Sequence, residues 1–217
     1  MVNDQVVQCA LREIDQQSFG VVKQFLEIHD VVYENGAPKI DAIDTDNDDG
    51  ITIVYFPVKD EKFYLALYVC TEPDIAVVSA YVESYNCVCF TAYSEILDFA
   101  GLSAMTSLAI TSGHNKGDKR KTGKTIYKDS VIRIEPNPGP DEFEDKLEKL
   151  LTLLEQDKEG IKALVDSAEG SIQVAMIFHN GNTMLGGTRV DSKSIKRMAD
   201  LNLAIDFDLY ANGKKWV

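Results

Sequence analysis

Residues 51–94 constrain the fold more than any other part of the chain. Four runs rich in Val, Ile, Tyr and Phe (51–58, 63–70, 75–83 and 86–94) follow one another almost without pause. Their connections, Lys59-Asp60-Glu61, Thr71-Glu72-Pro73-Asp74 and Ser84-Tyr85, are turn-sized. A parallel pair needs a crossover of a dozen or more residues, so these strands must pair antiparallel. The spacing predicts a β-meander.

Helical patterns flank it. Val7, Leu11 and Ile14, then Val22, Phe25 and Leu26, carry helical spacing over residues 5–28, interrupted at Ser18-Phe19-Gly20. A polar Gly- and Asp-rich stretch from Glu34 to Gly50 reads as an exposed loop or a boundary. Beyond the β region, residues 95–105 return to helical spacing, 107–111 and 126–134 read as strands, and Pro138-Gly139-Pro140 precedes a strong helix starting near Asp141. Its apolar stripe runs Phe143, Leu147, Leu150, Leu151, Leu154, Ile161, Leu164 and Val165, with Gly170 as its C′ residue. A strand over 171–178, a helix over 191–201 and a last strand over 203–210 complete the chain. The expected class is α+β, an antiparallel or mixed sheet covered by helices, with an N-terminal helical segment and the meander. Residues 1–50 are expected as a helical segment with an acidic loop. Residues 51–217 are expected as the α+β domain, with which the N-terminal part can share one compact unit.

At 217 residues the chain can bury a sizeable core, and 45% apolar against 26% charged residues is the balance of an ordinary globular protein. Intrinsic disorder and a disulfide miniprotein are excluded. The net charge of −13 is unevenly spread: residues 1–100 hold 18 acidic and 5 basic side chains, residues 101–217 hold 17 of each. Such acidity disfavours nucleic acid, whose phosphates need a cationic surface, and favours a basic protein partner or plain solubility. The start lacks a basic n-region and a continuous apolar core, and no stretch approaches the ~20 apolar residues of a membrane span. A cytoplasmic location, with no membrane partner, is expected. The four cysteines (Cys9, Cys70, Cys87 and Cys89) include no Cys-x-x-Cys. Cys87 and Cys89 share one face of an extended strand, about 6.6 Å apart at Cα and near the upper limit for a bridge. Reduced thiols are expected.

Each chemical motif has a plainer competitor. The run Gly117 to Thr125 resembles a phosphate-binding loop, but five residues rather than four separate Gly117 from Gly123, and a strand-like segment follows instead of a helix. The same segment is basic: Lys116, Lys119, Arg120, Lys121, Lys124 and Lys128, opposed by Asp118, could grip phosphate or an acidic surface, or form a solvated turn. Asp44, Asp46, Asp48 and Asp49 before Gly50 suggest a calcium loop, yet aligning Gly50 with position six puts Thr45 at position one and Phe56 at position twelve. Asp206 and Asp208 share one strand face beside Tyr210, while Leu203, Ile205, Phe207 and Leu209 take the other, the alternation of a half-exposed strand. His29, His114 and His179 are far apart in sequence, and no metal-ligand spacing or nucleophile elbow occurs. No cofactor, metal or catalytic residue is expected.

Lys116-Gly117-Asp118 after a strand, the helix from Asp141 and Asp206-Phe207-Asp208-Leu209-Tyr210 at the end stand in an order that resembles the bacterial family catalogued as domain of unknown function 4279. The resemblance covers about residues 86–212. It implies a Lys-Gly-Asp turn, a long and a short helix, and an Asp-Ile-Asp-Leu-Tyr-like last strand. The family often has a Trp in the strand after the basic turn, where this chain has Val131-Ile132-Arg133-Ile134, so no aromatic-centred site is carried over. No reaction comes with the resemblance. By analogy, small acidic proteins of this sort look like immunity proteins.

The expected function is therefore a non-enzymatic protein-binding module, of the immunity type, that neutralises a cationic partner such as a toxin. The acidic loop Asp44, Asp46, Asp48 and Asp49 is the expected contact surface. The alternative is a small enzyme or ligand-binding protein using Asp118, Asp206, Asp208 and Tyr210 beside the basic loop.

Overall fold

A computed structural model describes residues 2–45, 50–120, 123–181 and 187–215. It is an α+β protein of two compact units. The first comprises the described residues of Met1–Tyr85, Met176–Gly186 and Leu209–Val217, the second those of Asn86–Ala175 and Gly187–Asp208. Residues 1–50 thus share a unit with the strands that follow them.

The first unit opens with two helices, α1 (Val2–Gln16) and α2 (Gly20–Leu26). Gln17 separates them with a left-handed φ of 52°. The Glu13 carboxylate there accepts from the Phe19 N–H at 2.9 Å and from the Ser18 hydroxyl. Short strands β1 (Tyr33–Glu34) and β2 (Ala37–Pro38) form a hairpin. Next come β3 (Ala42–Asp44), β4 (Ile51–Pro57), β5 (Tyr64–Cys70) and β6 (Ala76–Glu83), an antiparallel sheet in the order β3-β4-β5-β6. Register runs Ile51 to Cys70 and Pro57 to Tyr64 across β4 and β5, then Tyr64 to Glu83 across β5 and β6, with a bulge at Tyr68/Val69. One sheet face (Val54, Phe56, Leu65, Leu67, Val69) packs on the helical stripe Val6, Ala10, Ile14, Val22 and Phe25. Ile14, Val22 and Phe25 are buried as the spacing of residues 5–28 predicts, while Val6 and Ala10 take the core positions in place of the half-buried Val7 and Leu11.

Three of the four runs expected in the meander join it, as β4, β5 and β6, and β3, from the stretch expected as a loop, takes the fourth place. The strand after Ser84, β7 (Tyr85–Ser94), leaves for a second sheet of order β11-β10-β7-β9-β8. The reason lies in the two burial patterns. β6 alternates exposed and half-buried residues, as an edge strand does, whereas Asn86 to Ala92 of β7 are buried without a break. A strand buried on both faces belongs in the middle of a sheet.

In the second unit α3 (Phe99–Ser103) is a single turn or so, capped by Asp98, whose carboxylate accepts from the Gly101 N–H at 2.7 Å. The strand expected over 107–111 does not form there; β8 is Ser112–His114. The Asp157 carboxylate captures the Thr106 hydroxyl at 2.8 Å and the Ser107 N–H at 2.6 Å, and that holds this stretch out of the ladder. β9 (Ser130–Ile134) pairs with both β8 and β7. The long helix is divided into α4 (Phe143–Leu154) and α5 (Lys158–Ala168) by a 3-10 turn at Glu155–Asp157. Asp157 caps α5 through the Gly160 N–H. Glu169, not Gly170, takes the left-handed cap at φ 47°; a Cβ on Gly170 would stand 2.8 Å from Phe90 Cζ. β10 (Ser171–His179), α6 (Ser192–Asp200) and β11 (Ile205–Asn212) follow. Asp191 caps α6, and Arg197 clamps it to α4 through Glu148 at 2.6 Å and Glu155 at 2.8 Å. No helix among the described residues is long and apolar enough to cross a membrane.

Candidate functional site

The Lys116-Gly117-Asp118 turn is built by its own side chains. Gly117 has a φ of +91°, a left-handed position that only glycine takes without strain. The Asp118 carboxylate accepts from the Asn115 N–H at 2.8 Å, and the Asn115 side-chain oxygen in turn accepts from the Phe99 N–H at 2.8 Å. Backbone pairs Gly117 N to Tyr127 O and Tyr127 N to Asp118 O, both 2.9 Å, zip the two arms together. Lys119 bridges Ile126, and the Arg120 N–H reaches Thr125 O at 2.9 Å. The segment is thus a hairpin, not a phosphate-cradling loop ahead of a helix. Its basic groups are partly committed. Lys116 Nζ donates to the Glu95 carbonyl at 3.0 Å and sits 3.8 Å from the Glu95 carboxylate. Arg120 lies over the Tyr127 ring at 5.0 Å, and Tyr127 stacks on His114 at 3.4 Å. Burial lowers the His114 pKa, with Arg120 adding to the effect against Asp118 and Asp129. Lys119, Arg120 and Lys124 are exposed, and Lys121 lies outside the described residues.

Beside this turn the second unit carries a groove of about 610 Å³. The end of β7 and the loop after it supply Tyr93, Ser94, Glu95 and Ile96; the residue before β9 supplies Asp129; the end of α5 supplies Ser167, Ala168 and Glu169. Three carboxylates (Glu95, Asp129 and Glu169) therefore surround the groove, with Lys116 as a close cation at Glu95. Ile96 is 94% exposed, an apolar side chain held in water by a loop whose N–H groups at 96 and 97 donate to Ser94 Oγ. Such a site offers an apolar anchor inside a negative rim. None of these lining residues was singled out from sequence; Glu95, Asp129 and Glu169 lie 34 and 40 residues apart along the chain, and only the pairing of β7 with β9 and the packing of α5 brings them together.

The other expected residues are placed differently. Asp44 ends β3, half-buried and paired in register with Ile53, whereas Asp46, Asp48 and Asp49 lie outside the described residues. Asp206 and Asp208 are exposed on one face of β11, and Phe207 on the other packs against Phe143 at 5.6 Å between centroids. This is the half-exposed alternation expected of the last strand, continuing only as far as Asp208. Tyr210, on the same strand, is 51% exposed and belongs to the first unit, and the Asp118 carboxylate is engaged within its turn. Neither this groove nor that lined by Asp4, Cys9, Arg12 and Ile75 on the first unit includes any of these four.

Two buried polar clusters went unread in the sequence. In the first unit His29 and His179, 150 residues apart, meet with Nε2 atoms at 3.1 Å, walled by Phe25 and Phe63. The Lys214 N–H also donates to His29 Nε2, at 3.3 Å, so that nitrogen is the acceptor and His179 Nε2 carries the hydrogen. The Gly181 N–H donates to His179 Nδ1 at 3.3 Å, completing a neutral pair. Burial lowers both pKa values; Lys214 adds to the effect at His29 and the neighbouring imidazole at His179. Among the described residues no group of three or more His, Cys, Asp or Glu is arranged to hold a metal. In the second unit Cys87, Cys89, Arg133, Glu135 and Lys146 form the other cluster. No residue-type signal in a single sequence pairs positions so far apart.

No curated protein and no solved structure matches the chain. The model of one family does match it, over residues 82–212, more than half its length and the stretch that contains the Lys-Gly-Asp turn, the groove and the Asp206-to-Tyr210 strand. The chain belongs to that family, DUF4279, described as a domain of unknown function.

Proposed function

We propose that this chain is a non-enzymatic protein-binding module that receives a cationic, apolar-tipped segment of a protein partner, in the manner of an immunity protein that neutralises a basic toxin. The observation that carries the proposal is the groove: Glu95, Asp129 and Glu169 around the almost fully exposed Ile96. An apolar anchor supplies affinity and a ring of like charges supplies partner choice and association rate. The acidity of residues 1–100 adds a long-range field that favours the same kind of partner. The alternative, a small-ligand site at Asp118, Asp206, Asp208 and Tyr210, gains no support from concavity, since the two aspartates of β11 stand on an exposed strand face.

The test uses the full chain and synthetic Lys- and Arg-rich peptides with and without one aliphatic residue. Binding is expected to require the aliphatic residue and to weaken as salt is raised. Reversing Glu95, Asp129 and Glu169 to Lys should abolish it, and Ile96→Ala should weaken it about tenfold, the loss typical of a central anchor. Peptide binding that is equal in the charge-reversed protein, or indifferent to salt, overturns the proposal.

A further inference from the structure

The buried thiol pair of β7 has a use that protein binding leaves unexplained. Cys87 and Cys89 are 4% and 1% exposed and stay free thiols. They lie on the same face of the strand, as alternate residues do. Three elements close around them. From β9 the Arg133 guanidinium donates through Nη2 to Cys87 Sγ, while its Nε and Nη2 hold the Glu135 carboxylate at 3.2 and 3.1 Å. From β10 the Gln173 carbonyl accepts from the Cys89 thiol at 3.6 Å. From α4 the buried Lys146 points inward, its ammonium donating to the Asn137 and Gly139 carbonyls, the Asn137 contact at 3.0 Å. The charged groups that act on Cys87 are therefore Arg133 and Lys146 on the positive side and Glu135 on the negative, with Asp141 acting on Lys146.

The two thiols are not equivalent. A guanidinium donor on sulfur stabilises a thiolate and has no use for a neutral thiol beyond weak acceptance. Cys87 has that donor and Cys89 does not; Cys89 faces a carbonyl, which only a protonated thiol satisfies. Contact with Cys89 and the Arg133 charge hold the Cys87 thiol below its usual range, against burial and Glu135, whereas Cys89 is pushed up by its contact with Cys87 and by burial.

We propose that Cys87 is a site of oxidation by hydroperoxide, with Arg133 as the positioning residue that holds its sulfur as the nucleophile. The Cys87 thiolate attacks the proximal oxygen of the peroxide, the S–O bond forms and the O–O bond breaks. The sulfur is oxidised by two electrons to sulfenic acid, the peroxide is reduced by two, and the departing hydroxide takes a proton from solvent to leave as water. The Arg133 side chain, 32% exposed and in contact with the Cys87 sulfur, is placed to stabilise charge on the departing oxygen.

Hydrogen peroxide is the probe, with sulfenic acid trapped by a cyclic dione and located by peptide mass spectrometry in the full chain. All four cysteines report in one sample. Cys87 is expected to trap first, although Cys9 and Cys70 are more exposed. Its reaction rate should level off at lower pH than that of an ordinary cysteine, and Arg133→Gln should slow it about tenfold at neutral pH by removing the donor that stabilises the thiolate. Arg133→Lys should recover part of that loss, and circular dichroism checks that both variants fold. Trapping at Cys9 or Cys70 ahead of Cys87 in the unaltered protein overturns the inference. So does a Cys87 rate that Arg133→Gln leaves unchanged in a folded variant.

Discussion

The two units differ in the polar clusters that they bury, apart from the buried Glu13 carboxylate of the first, which the Phe19 N–H and the Ser18 hydroxyl satisfy. The first closes its apolar core over two imidazoles that satisfy one another as neutral groups, His29 and His179, with aromatic rings on their flanks. The second buries formal charge: Lys146 is 1% exposed on carbonyl oxygens, and Arg133 bridges a thiol and a carboxylate. A neutral pair avoids the desolvation of an ion, but it survives only while neither ring gains a proton. A buried cation costs several kcal/mol to desolvate and recovers this only through a full set of acceptors. The first arrangement is therefore sensitive to mild acid, the second to loss of any one partner. The groove falls in the second unit.

The largest break in this contrast comes from Phe25. It is fully buried, stacks on His29 at 5.0 Å and meets Phe63 and His179 edge-on. Phe25→Ala removes about 3–5 kcal/mol by lost transfer and the cavity left behind, and opens the histidine pair to water. Chemical denaturation followed by hydrogen exchange should place the loss in residues 1–85, with protection in 143–168 kept. A uniform loss across both units would show that they do not unfold separately.

Mild acid is the next test. Both imidazoles have folded pKa values below the ordinary 6.5. The unfolded chain then binds more protons below pH 6.5, and stability falls as pH drops through that value towards the folded ones. If neither ring protonates in the fold, each forfeits up to about 2 kcal/mol by pH 5. His114, in the second unit, is also lowered but only half-buried, so its share is smaller. Lys146 acts in the opposite range: its lowered pKa leaves the unfolded chain with more protons only in the alkaline window below 10.5, and nothing changes between pH 7 and 5. Unfolding free energy measured from pH 7 to 5 should decline, with the ring C–H resonances of His29 and His179 titrating below pH 6.5. A flat profile, or both rings titrating at 6.5, removes the acid-sensitive half of the comparison.

Legibility in the sequence followed the range of the forces. The helices of residues 5–28 and their interruption before Gly20, the β runs at 51–83 and the short helix of 191–201 are all local patterns and all form, although the buried stripe of the first helix runs through Val6, Ala10 and Ile14 and leaves Val7 and Leu11 half-buried. Local pattern does not settle which sheet a strand joins. β7 carries the same residue types as β6, and only the partners β9 and β10 make it central. Likewise residues 107–111 have strand composition, yet a carboxylate 50 residues away takes the N–H of Ser107. The candidate site was less legible still. The Lys-Gly-Asp turn was visible, but the carboxylates beside it come from three elements with no shared motif, and the thiol pair was visible as a spacing without its arginine.

That distant carboxylate supplies the smallest of the tests. Asp157 Oδ1 accepts from the Gly160 N–H at 3.1 Å, and Oδ2 from the Ser107 N–H and the Thr106 and Ser107 hydroxyls. These bonds, the Ser107 N–H first, hold its carboxyl below the usual range. Asp157→Ala removes one helix cap and frees the 106–108 loop, at about 1–2 kcal/mol, the upper part of the range for a cap because a second segment is lost with it. Asp157→Asn keeps only one of the two acceptor oxygens and should cost less than Asp157→Ala, because it can still hold one of the two segments. Because the second unit depends on such single partners, its stability should drop while the acid profile of the first stays as it was. If Asp157→Ala leaves hydrogen exchange at residues 106–108 and 158–161 unaltered, the polar links of the second unit are dispensable and its core alone holds it together, as in the first.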